Sequence, residues 1–206
     1  NRMSWNFRMK PPRVAEGGTK IDYSAFSAPM VLPGSYVFVL RVGKEEHRDT
    51  FALVHRDQPG FTLADREAQY RVAMRYYAMQ EALSGTVEHI STRQEELRRL
   101  SERLSSERDL RKLEAYADEL ERHRAGLLAT RQRSIFADEQ QLRERISEAY
   151  SQAIAAEAPP SNVLVERAGL LEAEVAKAEQ TTVSIFLKYE RDFTRIQKKN
   201  MPTPRP

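Results

Sequence analysis

Leu164, Ala168, Leu171, Val175, Ala178, Thr182, Ile185, Tyr189 and Ile196 recur at steps of 4, 3, 4, 3, 4, 3, 4 and 7. Alternating steps of three and four over about five heptads put one apolar stripe along a single long helix. At ~1.5 Å per residue that helix spans on the order of 50 Å. A stripe of that length has to pack lengthwise against other helices, so the chain must contain further rods.

The sequence supplies them. Thr62 and Asp65 have the spacing of a capping box, a hydroxyl N-cap with an acid three residues on. From there Met79, Leu83, Val87, Ile90, Leu97, Leu100 and Leu104 step at helical intervals, with Gly85 a candidate kink. Ser105-Ser106 breaks the pattern, and Leu110, Leu113, Ala117, Leu120, Arg124 and Leu127 begin a second helix. So short a connection makes the two antiparallel neighbours. A loop near Ser134–Ala137 leads to a third helix carrying Leu142, Ile146, Ala149 and Ala153. Pro159-Pro160 ends it, and Ser161 or Asn162 caps the fourth.

The front of the chain follows a different rule. Met3, Trp5, Phe7 and Met9 alternate with polar residues, the period of a half-buried strand, and Pro11-Pro12 stops it. Residues 13–31 are irregular. After the Pro33-Gly34 turn, Tyr36, Phe38, Leu40 and Val42 share one face and Val37 and Val39 the other, which predicts a strand buried on both sides. Gly43–Glu46 turns the chain, and Arg48–Arg56 returns with Phe51 and Leu53 apolar. Three strands bury too little to stand alone. They need helices, or further strands, to cover them.

The predicted fold class is therefore α+β: a strand-rich unit over 1–60, an antiparallel bundle of about four helices over 61–199, and a disordered basic, proline-containing tail over 200–206. Tyr70 and Tyr77, seven apart on one face of the first helix, are expected to dock against the strands. Ile185, Tyr189 and Ile196 are candidate interface residues, because an unpaired seam would expose them.

Little in the sequence points to chemistry. Cysteine is absent, so there is no disulfide and no thiolate. No run reaches the ~18 apolar residues of a membrane span. Net charge is +3, and removing the +4 carried by Arg195, Lys198, Lys199 and Arg205 leaves −1 on the rest, with no basic stripe for nucleic acid. Three positions before His47, His55, His89 and His123 stand Lys44, Ala52, Thr86 and Leu120, so no Glu-x-x-His pair exists for a carboxylate-bridged metal. No nucleophile elbow, phosphate loop or dinucleotide fingerprint occurs. Asp49, Asp57 and Asp65 are the least bland acids, and turn or capping roles suit them better than catalysis. The residues predict no catalytic, cofactor-binding or metal site.

Several stretches together resemble a known family. "NRMSWNFR" resembles the opening strand of Ig-like domains of the flagellar hook-capping type, and "VLPGSYVFVLRVGKEEHRDTFALVHRD" resembles their Pro-Gly hairpin. "LRERISEAYSQAIAAEAPPSN" with the helix after it resembles the helical tail that follows in secreted bacterial BNR-repeat or sortilin-type β-propeller, glycosidase-like proteins. The match departs at Asn6, where the family usually has Asp, and at "HRDQ", where it usually has Asp-Pro-Arg. The resemblance implies an Ig-like sandwich, incomplete here at its N-terminal side. It also implies upstream propellers that hold any carbohydrate site, and an extracytoplasmic bacterial location.

The leading expectation is a non-catalytic C-terminal accessory module, a spacer, docking or oligomerisation arm, whose partner is an upstream β-propeller of the same protein or another chain. A stand-alone coiled-coil scaffold binding a partner helix is the first alternative. The second is part of a carbohydrate-active hydrolase whose catalytic site lies on an absent propeller.

Overall fold

The computed structural model describes residues 4–19, 21–56, 59–130, 140–155 and 157–200. Its elements are a 3-10 turn at Tyr23–Phe26, a two-stranded antiparallel sheet of β1 (Gly34–Val42) and β2 (Glu45–Leu53), and four helices. The helices are α1 (Leu63–Ser101), α2 (Glu107–Leu127), α3 (Leu142–Ala155) and α4 (Asn162–Lys199). The chain is thus α+β.

Three of the helices, α1, α2 and α4, begin where their cap chemistry dictates. The Thr62 hydroxyl accepts from the Asp65 N–H at 3.2 Å, and the Asp65 carboxylate accepts from the Thr62 N–H at 2.9 Å. That reciprocal pair satisfies backbone donors the first turn leaves open. Ser106 and Ser161 cap α2 and α4 in the same way, each accepting from the N–H three residues on. α1 runs unbroken through Gly85.

Ion pairs between helices fix the topology. Arg75 meets Glu172 at 2.7 Å and Arg93 meets Glu190 at 3.5 Å, so α1 and α4 run parallel. Lys112 meets Asp192 at 2.7 Å and Lys188 meets Glu119 at 2.6 Å, so α2 opposes α4. Arg145 pairs with Glu174 and Arg167 with Glu148, so α3 opposes it as well. α2 and α3 therefore lie end to end as one interrupted middle rod between two unbroken ones. The bundle is three rods thick, up-down-up. This corrects the expected antiparallel bundle of four: all four helices exist, but α1 and α4 are parallel. The reason is length. α2 and α3, with 21 and 14 residues, together return along what α1 covers in 39.

The core fills the space between the rods. Leu83, Ile90 and Leu97 of α1, Leu113, Tyr116 and Leu120 of α2, Ile146 and Tyr150 of α3, and Ala168, Leu171 and Ile196 of α4 are all buried. Buried polar groups are mostly partnered, as burial requires. Tyr76 donates its hydroxyl to the Leu164 carbonyl at 2.7 Å, and Gln69 its amide to the Ala153 carbonyl at 3.1 Å.

The front departs from its sequence pattern. Arg8 forms one isolated bridge to Met30, and Phe7 adopts a left-handed backbone (φ 57°), so the described part of 3–9 is not a strand. A non-glycine residue at positive φ ends an extended run. The irregular residues that follow cross the bundle as a strap. Thr19 N–H donates to the Ala129 carbonyl at 2.8 Å, Arg143 to the Ala15 carbonyl at 3.0 Å, and Tyr150 to the Ser27 carbonyl at 3.0 Å. Buried Gln80 on α1 donates to Ser24, which donates to Asp22, which also accepts from Ser147 on α3. The packed unit around the helices therefore includes residues ahead of 61. The expected loop at Ser134–Ala137, the acid Asp57 and the tail beyond Asn200 lie outside the described residues.

Candidate interaction surface

β1 and β2 pair from Gly34↔Leu53 to Val42↔Glu45, joined by a two-residue turn. Gly43 takes φ +62° there, the first central position of a type II′ hairpin turn, which only glycine adopts without strain. Directly opposed residues share a face, so Tyr36, Phe38, Leu40 and Val42 face the same side as Phe51, Asp49, His47 and Glu45. Val37 and Val39 face the other side with Thr50 and Arg48.

Among the described residues, neither strand packs against a helix. The expectation that β1 is buried on both sides is overturned: Val37 is 57% exposed, Val42 59%, Phe38 41% and Val39 39%. Among the described residues, cover reaches only the base of the hairpin. Trp5 lies edge-on to Tyr36 at 5.6 Å and to Phe51 at 6.1 Å, with Phe7 5.3 Å away. The outer half is left open.

The strands differ in chemistry. β1 reads Tyr-Val-Phe-Val-Leu from 36 to 40, apolar on both faces. β2 reads Glu-Glu-His-Arg-Asp from 45 to 49. Glu46 is gripped by Arg41 at 2.8 Å and Arg48 at 2.6 Å, and these guanidiniums hold its carboxyl below the usual range. A charged strand blunts a sheet edge against further pairing, whereas an apolar one invites it. β1 has the composition of a central strand yet lies at an edge.

The expected docking of α1 against the strands is likewise overturned. Tyr70 instead directs its hydroxyl at Met9 Sδ, 3.3 Å away in the N-terminal segment, and Tyr77 packs at the margin of the bundle core. Ile185 (6% exposed) and Ile196 (0%) are buried by α4's own neighbours. Tyr189 stacks on Tyr116 at 4.6 Å and donates to Glu119 at 2.6 Å. The seam is closed internally, so an interface role for Ile185 or Ile196 would require the rods to part.

Sequence reading missed the device that closes this end. Arg93 is inserted among aromatic rings, 4.5 Å from the Phe193 centroid and 4.8 Å from that of Phe186, and donates to the Tyr116 hydroxyl at 3.1 Å. An arginine in an acid-rich helix gives no signal of that role. His123 was legible only as a lone histidine. Its Nε2 lies 3.0 Å from Thr182 Oγ1 and 3.2 Å from the Ala178 carbonyl.

Burial holds the His123 pKa below its ordinary 6.5. The folded state therefore prefers the neutral ring. The contribution to stability is complete above pH 6.5 and is lost as pH falls from there through the folded value. An NMR titration is expected to place the His123 midpoint below 6.5, and His123→Gln to reduce the acid-side slope of stability against pH.

Among the described residues, no group of three or more His, Asp or Glu is placed to hold a metal ion, and no helix is long and apolar enough to cross a membrane. Asp65 serves the α1 cap and Asp49 accepts from the Thr50 N–H. Among the described residues, every carboxylate with a displaced pKa is displaced downward by hydrogen bonds, mostly from arginine or lysine, as for Glu95, lowered to about 2 between Arg98 and Arg99. Comparison with protein-family models, curated proteins and solved structures found no match.

Proposed function

We propose that this chain is a non-catalytic accessory module: a stiff three-rod spacer whose protruding hairpin completes the β-sheet of another domain or chain. The observation that carries this reading is β1, apolar on both faces, unpaired along one edge and uncovered by its own bundle. Such a strand is a template for added strands, with main-chain hydrogen bonds supplying affinity and alternate side chains specificity. The sequence resemblance supports an Ig-like sandwich as that sheet and a secreted bacterial, glycosidase-like β-propeller protein as the parent. The downward carboxylate shifts also favour a non-catalytic role, since a glycosidase acid needs a raised pKa.

The test is hydrogen exchange on β1. The chain alone is expected to exchange its outward β1 amides rapidly. The same chain mixed with an Ig-like domain from a BNR-repeat propeller protein, the partner the resemblance implies, is expected to protect them at least about a hundredfold, the equivalent of ~2.7 kcal/mol. Val39→Lys should abolish that protection without altering the helical circular dichroism. Equal exchange in the two forms would sink the proposal.

A further inference from the structure

Four segments meet at the foot of the hairpin: the chain entering β1, the chain leaving β2, the first turns of α1 and the link between α3 and α4. They enclose a pocket of about 160 Å³, with Met30, Leu53 and Phe61 in its apolar lining and Arg56, Arg66 and Glu157 as its charges. His55 lines it too, its Nε2 3.4 Å from the Phe61 carbonyl.

The positive charge here is not compensated. Arg66 is part-buried, yet it bonds only neutral acceptors: Nη2 donates to the Met30 carbonyl at 2.9 Å and Nη1 to the Gln69 side-chain oxygen at 2.8 Å. Arg8 stands beside it and donates to the Ala28 carbonyl at 2.6 Å, two residues from Met30. Among the described residues, none of Arg8, Arg56 and Arg66 forms an ion pair. Arg75, Arg93, Arg145 and Arg167, which join the rods elsewhere, all do. Burial and the Arg8 charge hold Arg66 below the ordinary guanidinium value, with Glu157 opposing them. Three guanidiniums against one carboxylate leave these four side chains at +2. Like charges gathered in a part-buried site without a counter-ion are costly.

We infer that this pocket binds a tetrahedral oxyanion of the phosphate or sulfate class. Arg66 uses two of its five N–H groups on the bonds above, and the Arg56 side chain makes no hydrogen bond among the described residues. Two planar forks with donors to spare match the edges of such an ion, and they do so by paired, charge-assisted bonds. Glu157 sets the threshold: its carboxylate repels any anion, so the site needs both arginines. Binding also has a structural consequence. Arg66 belongs to α1 and Arg56 to the chain leaving β2, so a shared anion ties the hairpin to a bundle its strands do not otherwise touch. The free edge of β1 takes no part, so this inference and the proposed function fail separately.

The experiment is titration of the full chain with inorganic phosphate, and separately with sulfate, at fixed ionic strength, followed by calorimetry and by thermal unfolding. Saturable binding is expected, with a dissociation constant of about 1 mM or tighter. Chloride and acetate at the same ionic strength should not reproduce it. Arg56→Gln and Arg66→Gln should each weaken binding at least about tenfold, and Glu157→Gln should tighten it by about threefold or more. Arg56 and Glu157 are exposed, so circular dichroism should show both of those variants folded, and they decide the matter if Arg66→Gln does not fold. Absence of saturable binding overturns the inference. So does equal stabilisation by chloride or acetate, wild-type binding in Arg56→Gln, or a Glu157→Gln variant that binds no more tightly than wild type.

Discussion

Tyr116→Ala is expected to lower unfolding free energy by about 3–5 kcal/mol, the range for truncating a buried aromatic. Tyr116 is 1% exposed at the centre of the end of the bundle where α1, α2 and α4 meet. Its ring stacks on Tyr189 at 4.6 Å and meets Phe186 and Phe193 edge-on at 6.4 and 6.3 Å. Removing it opens a cavity among three helices and leaves Arg93 without its hydroxyl acceptor. Tyr116→Phe keeps the packing and loses only the hydrogen bond, so about 1–2 kcal/mol is expected. Urea unfolding followed by circular dichroism measures both. A cost under about 1 kcal/mol for the alanine variant would mean that this end of the bundle is not packed as described.

Ile196→Ala should cost about 2–5 kcal/mol, whereas Leu187→Ala should fall within about 0.5 kcal/mol of wild type in the monomer. Both are apolar residues on α4, nine positions apart. Ile196 is fully buried in the seam and Leu187 is 71% exposed. The pair separates the two faces of the helix: the inward stripe holds the protein together, and the outward one contributes little to folding. Were Ile196 an interface residue, the costs would reverse, with Ile196→Ala silent in the isolated monomer. The measurement is the same denaturant titration.

The helical body was legible in the sequence because its signals are local. The steps of three and four from Leu164 to Ile196 mark the buried stripe of α4, and Leu164, Ala168, Leu171, Val175, Ala178, Thr182, Ile185 and Ile196 are all buried in it. The Thr62–Asp65 cap, the Ser105-Ser106 break and the Pro159-Pro160 stop fall at helix boundaries for reasons contained within four residues. The front was less legible. Met3, Trp5, Phe7 and Met9 alternate as a strand would, but alternation states only which side chains want cover. It does not state whether a second strand lies beside them, and a left-handed Phe7 and a single bridge at Arg8 took its place. The strap from 11 to 30 has no periodicity to read, because its contacts are shared between α1 and α3 at irregular intervals.

For the candidate surface, the apolar character of β1 was plain and its exposure was not. A both-sided apolar strand reads as buried, and the inference that Tyr70 and Tyr77 cover it assumed that the chain satisfies itself. Arg93 illustrates the opposite failure: a charged residue whose cavity is built from two other helices cannot be told from its solvated neighbours.

By itself the sequence determined the number, length and inward faces of the helices, the hairpin and its turn, since periodicity, capping and backbone stereochemistry act over a few residues. Only the tertiary structure decided that α2 and α3 align into one rod, that α1 and α4 run parallel, and that β1 stands uncovered. Those outcomes depend on which surfaces meet across a hundred residues of chain, and no spacing within a single segment encodes that.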